Sequence, residues 1–258
     1  MRNAGRTASG ALICAEINSM ERFFVKFTVP GESVVLRGDD FAHAARVLRL
    51  RAGDAIELCD GAGQVCVGRV QSVEKDSLHA MAGEWQVCES EATHKITLFQ
   101  CLPKGDKMEW ITQKCVELGV CAIVPVLSAR CVAQPKEDYG KKRERLQRIA
   151  QEAAKQSKRG VLSAVLPLIK LADSDFSAFD AVLLAYEEEK TASLKSALRQ
   201  CAGQRLALLI GPEGGFTPEE AALLCEKGAI SVSLGPRILR TETAGMAMLA
   251  QVLYELEG

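Results

Sequence analysis

The spacing of apolar positions changes character near residue 90. Before that point the runs are short and partly alternating. Arg22-Phe23-Phe24-Val25-Lys26-Phe27 and Val34-Val35-Leu36 read as strands on either side of a Pro30-Gly31 turn. Phe41, Ala44, Ala45 and Leu48 recur at helical spacing, with Asp39 or Asp40 as the capping residue. Residues 55–59 and 65–70 flank Asp60-Gly61-Ala62-Gly63, the signature of a hairpin with a glycine-containing loop. Residues 77–81 and 85–87 add two more strands. Residues 20–90 therefore predict a small, mostly β barrel with one helix.

Beyond it the apolar residues fall in near-continuous blocks at 96–102, 121–127, 180–186, 206–210 and 230–234. Between them lie helical stripes at 107–118, 139–158, 191–201 and 218–227, and a closing stripe at 243–256. Met108, Ile111, Cys115 and Leu118 share one helical face, and Gly119 suits the position just past that helix's end. Buried-type strands alternating with helices predict an α/β domain, a parallel sheet covered on both faces, over residues 91–258. The polar stretch Glu89-Ser90-Glu91-Ala92 marks the boundary. Residues 1–19 read as a disordered or artefactual extension.

Composition narrows the functional classes. A net charge of -1 gives no global pull toward nucleic acid, so any such contact has to come from a local patch. Two patches are available. Arg22, His43, Arg46, Arg49 and Arg51 gather in the first domain, and Lys141 to Arg159 is a basic helix whose apolar face is Leu146, Ile149, Ala150, Ala153 and Ala154. The ten cysteines contain no C-x-x-C pair, and Cys59, Cys66, Cys101, Cys115, Cys121 and Cys225 sit in apolar runs. That suits small buried thiols in a reducing cytoplasm better than disulfides or zinc, so no metal site is expected. No apolar run reaches the ~20 residues of a membrane span.

In the second domain, turns follow the strands near residues 187, 211 and 235, and ligands of an open parallel sheet bind outside the carboxyl ends of its strands. The middle turn, Gly211-Pro212-Glu213-Gly214-Gly215-Phe216, runs into Thr217-Pro218-Glu219-Glu220, which has a capping threonine, a first-turn proline and a capping-box acid. It is neither a dinucleotide fingerprint nor a P-loop, since no Lys-Ser/Thr follows. The last turn, Leu234-Gly235-Pro236-Arg237-Ile238-Leu239-Arg240, is too apolar and too constrained for a solvated linker. An apolar slot lined by backbone groups suits a flat adenine ring.

Together, Gly211-Pro212-Glu213-Gly214-Gly215-Phe216 and Leu234-Gly235-x-Arg237-Ile238-Leu239-Arg240-x-Glu242-Thr243-Ala244 closely resemble the RsmE type of SPOUT methyltransferase. The resemblance extends to Arg22-Phe23-Phe24 and His43, to Lys104 with Lys107-Met108-Glu109, Gln113-Lys114 and Glu117-Leu118-Gly119-Val120, and to Arg130, Arg148, Glu152-Ala153 and Gln156-Ser157-x-Arg159. It departs at Gly160-Val161-Leu162 and in the N-terminal extension. It implies a PUA-like RNA-binding domain at residues 20–90 and a SPOUT domain at 91–258 with a deep trefoil knot. It also implies a homodimer and S-adenosylmethionine-dependent methylation of uridine N3 in 16S ribosomal RNA of the small subunit.

On this resemblance the cofactor contacts are Leu183, Gly211, Pro212, Glu213, Gly214, Gly215, Leu234, Gly235, Ile238, Leu239, Arg240, Thr243 and Ala244. The RNA contacts are Arg22, His43, Arg46, Arg49, Arg51, Arg130, Lys155 and Arg159. Arg240 is expected to stabilise the uracil anion, with Glu213 or Glu242 positioning or deprotonating N3. Another base or ribose 2′-OH as acceptor, and an assembly factor with a vestigial pocket, stay open as alternatives.

Overall fold

A computed structural model describes residues 20–133, 139–201 and 203–257; the expected extension at 1–19 lies outside them. The chain forms two compact units. One comprises the residues up to Glu91 together with Lys155–Val161, and the other Ala92–Ala154 with the chain from Leu162 onward.

The first unit is a six-stranded sheet of β1 (Arg22–Phe24), β2 (Ser33–Arg37), β3 (Ala55–Cys59), β4 (Gln64–Val73), β5 (Ser77–Ala82) and β6 (Gln86–Val87). Its order is β1-β3-β4-β5-β2, with β6 beside β4. Edge strands β1 and β2 supply Phe23, Val34 and Leu36 to one core with Ile56, Leu58 and Leu78, so the sheet curls around that core. No β1–β2 pairing closes it among the described residues. The expected barrel is thus a curled open sheet. The helix is short: α1 (Gly38–Ala42) passes into a π-helical turn at His43–Val47, which buries Phe41 and Ala44. The predicted aspartate cap is absent, because Arg37 holds the cap position without a side-chain bond, and Asp39 and Asp40 lie in the first turn.

This unit has charge at its centre. Arg22 Nε and Nη2 donate to Glu57 at 2.8 and 2.6 Å, and neither side chain is more than 3% exposed. The returning segment 155–161 adds further pairs: Lys155 with Asp40 at 2.7 Å, Lys158 with Glu57 at 3.4 Å, and Arg159 with Glu91 at 2.7 Å. Gly160 O accepts from Gly63 N at 3.0 Å. This return through the first unit was not legible at the Glu89–Ala92 boundary. It also corrects two expected RNA contacts. The Arg22 and Arg159 side chains are each only 3% exposed and are committed to Glu57 and Glu91, leaving no surface for a phosphate.

The second unit is a seven-stranded, wholly parallel sheet. Its strands are β7 (Lys95–Cys101), β8 (Ala122–Leu127), β9 (Ala164–Val165), β10 (Ile169–Lys170), β11 (Ala181–Ala185), β12 (Arg205–Ile210) and β13 (Ile230–Val232). The order is β10-β8-β7-β12-β11-β13, with β9 beside β8. Helices α2 (Lys107–Glu117), α3 (Gly140–Gln156), α4 (Leu194–Leu198), α5 (Pro218–Glu226) and α6 (Thr241–Glu257) accompany it. Helix α4 is shorter than predicted, because the Glu189 carboxylate binds the amides of Thr191 and Ala192 and Ser193 caps the helix only after that turn. Among the described residues Cys59, Cys66, Cys101 and Cys115 are buried as expected, but Cys121 is only partly buried and Cys225 on α5 is exposed, a correction to the reading of their apolar runs as core.

Asp180 staples the start of β11 to that of β12. Its Oδ2 accepts from Gln204 N and Arg205 N, and Arg205 Nη2 donates to Oδ1 at 2.7 Å. The Arg205 side-chain bond, then the Arg205 backbone amide, hold this carboxyl at about 2, below the ordinary 3.8. A depressed folded value contributes stability that is complete above the unfolded value and fades as pH falls through the folded one. Asp180→Asn is therefore expected to flatten the loss of stability between pH about 4 and about 2, read by urea titration at several pH values.

Candidate active site

Strands β7, β12, β11 and β13 are parallel neighbours, so the segments that follow them leave from one edge of the sheet. The turn after β12 is fixed by Phe216, only 1% exposed, and by a complete capping box: Glu220 N donates to Thr217 Oγ1 at 3.1 Å and Thr217 N to Glu220 Oε2 at 3.0 Å. Such a cap contributes about 1 kcal/mol. Two glycines sit where a side chain would be crowded or strained. A Cβ on Gly211 would lie 3.2 Å from Gly215 and from Phe216. Gly215 has φ +64°, and a Cβ there would fall 1.8 Å from Glu187 Oε1, so the segment after β11 lies directly against this turn. Arg130 Nη1 donates to Gly214 O at 2.8 Å and Phe216 O at 3.1 Å. The structure therefore gives Arg130 Nη1 a bracing role, while the side chain remains exposed.

The segment after β13 presents Leu234 and Leu239 half-buried and Ile238 87% exposed. Gly235, at φ +117°, has no atom within 4 Å of its Cβ position. Helix α6 begins two residues earlier than predicted. Thr241 Oγ1 donates to Gly211 O at 2.6 Å and accepts from Gln100 Nε2 at 2.9 Å, tying the end of β7 to both turns. Gln100 is fully buried, and its Oε1 has no hydrogen-bond partner. The amides of Thr243 and Ala244 both donate to Arg240 O at 2.8 Å, so the helix's first turn uses them.

Three charges meet where these segments converge. Lys107, the first residue of α2, places Nζ 2.9 Å from Glu213 Oε1 and 3.1 Å from Glu242 Oε2. Glu213 Oε1 also accepts from Lys104 N at 3.1 Å. Burial alone would raise the Glu213 carboxyl, but the Lys107 hydrogen bond, its own backbone amide and the Lys104 amide outweigh it and hold the group below its ordinary value. Burial likewise opposes ionisation of Glu242, and its own backbone amide, Lys107 and the charge of Arg240 bring it down. Lys107 is raised, first by Glu213 and then by Glu242.

The structure thus brings together Glu213, Glu242 and the turn glycines, with the exposed Arg240 beside them. It does not bring Leu183, which is 0% exposed in mid-β11 between Leu208 and Ile230 and has no free surface for a ligand. In the first unit Arg46, Arg49 and Arg51 are exposed, Arg49 with φ +55°, while His43 Nε2 lies 3.2 Å from Glu21. The sequence left Lys107 without a role and missed Gln100, Thr241 and Glu187. Gln100 alone had a signal, as a polar residue inside an apolar block. Among the described residues no cluster of His, Cys, Asp and Glu could hold a metal, and no helix is long and apolar enough to cross a membrane.

Residues 90–253 match a family described as the RNA methyltransferase domain, and residues 36–80 one described as the RNA methyltransferase PUA domain. Ribosomal RNA small subunit methyltransferase E of Bacillus subtilis is 35% identical over 92% of this chain and 98% of its own length. The protein of that name from Mycobacterium tuberculosis is 34% identical over 86% of each. Among solved structures, the S-adenosylmethionine-bound ribosomal RNA small subunit methyltransferase E of Neisseria gonorrhoeae superposes with a TM-score of 0.80 at 33% identity, covering 91% of this chain and 97% of the other.

Proposed function

The chain belongs to the ribosomal RNA small subunit methyltransferase E family, and from that membership we propose that it methylates N3 of a uridine in 16S ribosomal RNA with S-adenosylmethionine as donor. The residues present fit that donor. The exposed Ile238 with Leu234 and Leu239 offers apolar surface to an adenine, and Glu213, Glu242 and Glu187 suit a cationic sulfonium and ammonium. When bound, the donor supplies an electrophilic methyl group on sulfur.

The protein's task is the acceptor. N3 of uracil carries a proton, and its lone pair becomes a good nucleophile only as that proton leaves. Glu213 or Glu242 takes the proton, and Arg240 stabilises the charge that develops on O2 and O4. The observation that carries this reading is the junction itself, two ionised carboxylates and a neighbouring arginine at the shared mouth of parallel strands. The target base has to leave its stack or lie in an open loop to reach them. The same reading makes residues 20–90 an RNA-binding domain and threads the 234–244 segment through a trefoil knot. It makes the active form a cytoplasmic homodimer acting on the assembled subunit.

Incubating small subunits or naked RNA with the protein and donor, then analysing nucleosides by mass spectrometry, tests this. The expected product is N3-methyluridine. A methylated ribose or another base sinks the N3 assignment, and absence of donor binding by calorimetry sinks the enzyme reading. RNA affinity should also fall steeply with salt, and replacing Arg46, Arg49 and Arg51 together by Ala should lower the log–log salt slope by about 2. An unchanged slope removes that patch from the interface.

A further inference from the structure

We propose that Lys107 is the positioning residue of this methyl transfer, a cation that holds the carboxylates of two separate segments in place around the base. The inference rests on the functional reading above and assigns a role to a residue outside its catalytic set. Lys107 is fixed from behind. Its neighbours on α2, Met108 and Ile111, are 1% and 0% exposed, so the stem of the side chain leaves a rigid base. From there Nζ reaches Glu213 in the β12–α5 turn and Glu242 on α6. Lys104 N fixes Glu213 from a second direction. Glu242 is held on one side only: its buried Oε2 lies 3.1 Å from Lys107 Nζ. The Glu242 side chain as a whole is 18% exposed, so the carboxylate still presents some surface to a donor such as an imide N–H.

The charges then balance through the step. The N3 proton passes to the Glu242 carboxylate while the N–H electron pair stays on N3. That pair forms the bond to the methyl carbon, and the pair of the breaking carbon–sulfur bond goes to sulfur. A carboxylate held low by an ammonium is a weak base, so the proton transfer is uphill. Once Glu242 is neutral, Lys107 still pairs with Glu213. The trio of Lys107, Glu213 and Glu242 then goes from one net negative charge to none, so it no longer opposes the uracil anion that forms beside it. Charged groups facing this point include Lys107 from α2, Glu213 from the turn, Glu242 from α6 and Arg240 from the segment before it, with Glu187 against the turn at Gly215.

The test uses Lys107→Met, with Lys107→Arg as the charge-keeping control and Lys107→Gln as a second neutral variant should the first fold poorly. A loss of kcat of about a hundredfold is expected for the neutral variants, with KM and donor Kd within about threefold and most of the rate restored in Lys107→Arg. Independently of activity, carbon-detected titration of glutamate carboxyls in the cofactor-free protein should show the Glu213 and Glu242 values rising when Lys107 is neutralised. Three results overturn the proposal: unchanged kcat, donor affinity falling in step with kcat (a scaffold role only), or carboxyl titrations that do not move. Failure of the unsubstituted protein to form N3-methyluridine would defeat the functional reading instead, and the titration alone would then decide the positioning role.

Discussion

Arg22→Met is expected to destabilise the first unit by about 3–5 kcal/mol, seen as a lower urea midpoint. The two tryptophans make this readable unit by unit. Trp85 packs on the first unit's core, so its fluorescence in a Trp110→Phe background reports that unit. The physical cause is Glu57, whose side chain is 0% exposed and loses both guanidinium bonds at once. Lys158, at 3.4 Å, is too distant and too exposed to replace them. Removing both charges, as Arg22→Met with Glu57→Leu, should recover much of the loss, because no unpaired ion is then buried. The single substitution also separates two readings of Arg22. A residue that contacted RNA would weaken RNA binding at unchanged stability, whereas a core ion pair moves the midpoint whether or not RNA is present. An unchanged midpoint overturns the core role.

Arg22 shows where sequence stops being informative. Next to Phe23 and Phe24, and with His43, Arg46, Arg49 and Arg51 downstream, it reads as part of a basic patch. Its burial follows from the parallel pairing of β1 with β3, which sets Arg22 opposite Glu57, and nothing local specifies that pairing. Arg159 misleads in the same way, since its partner Glu91 is distant in sequence. By contrast, the β12–α5 unit was legible almost residue by residue. A capping box, a first-turn proline and a turn glycine are local devices whose partners lie within a few positions. Strands β9 and β10 left no trace, because two residues carry no period. At the site, Glu213 and Glu242 were found through their motifs. The link between them was not, because Lys107 lies far upstream on a helix whose pattern records only its buried face.

Arg240→Ala is expected to lower kcat by about a hundredfold or more, the usual cost of losing one donor aimed at developing charge, while donor Kd changes by about threefold at most. Arg240 is exposed at the end of the segment after β13, and its carbonyl accepts the amides of Thr243 and Ala244. That anchoring is backbone-only, so truncating the side chain should leave α6 and its Glu242 where they are. The loss should therefore fall on the rate and spare the fold and the donor pocket. Arg240 and Lys107 also differ in what they are free to do. Lys107 is matched by two carboxylates in the resting protein, whereas Arg240 contributes only a long-range charge to Glu242. Arg240 can thus meet the uracil oxygens before any proton moves, whereas Lys107, still paired with Glu213, offsets the anion only through the net charge of its trio once Glu242 is neutralised. Removing both side chains should then cost less than the product of the single effects, since each stabilises the same anion. Full multiplicativity would show that they act on different charges, and unchanged kcat in Arg240→Ala with normal donor binding would take Arg240 out of the chemistry.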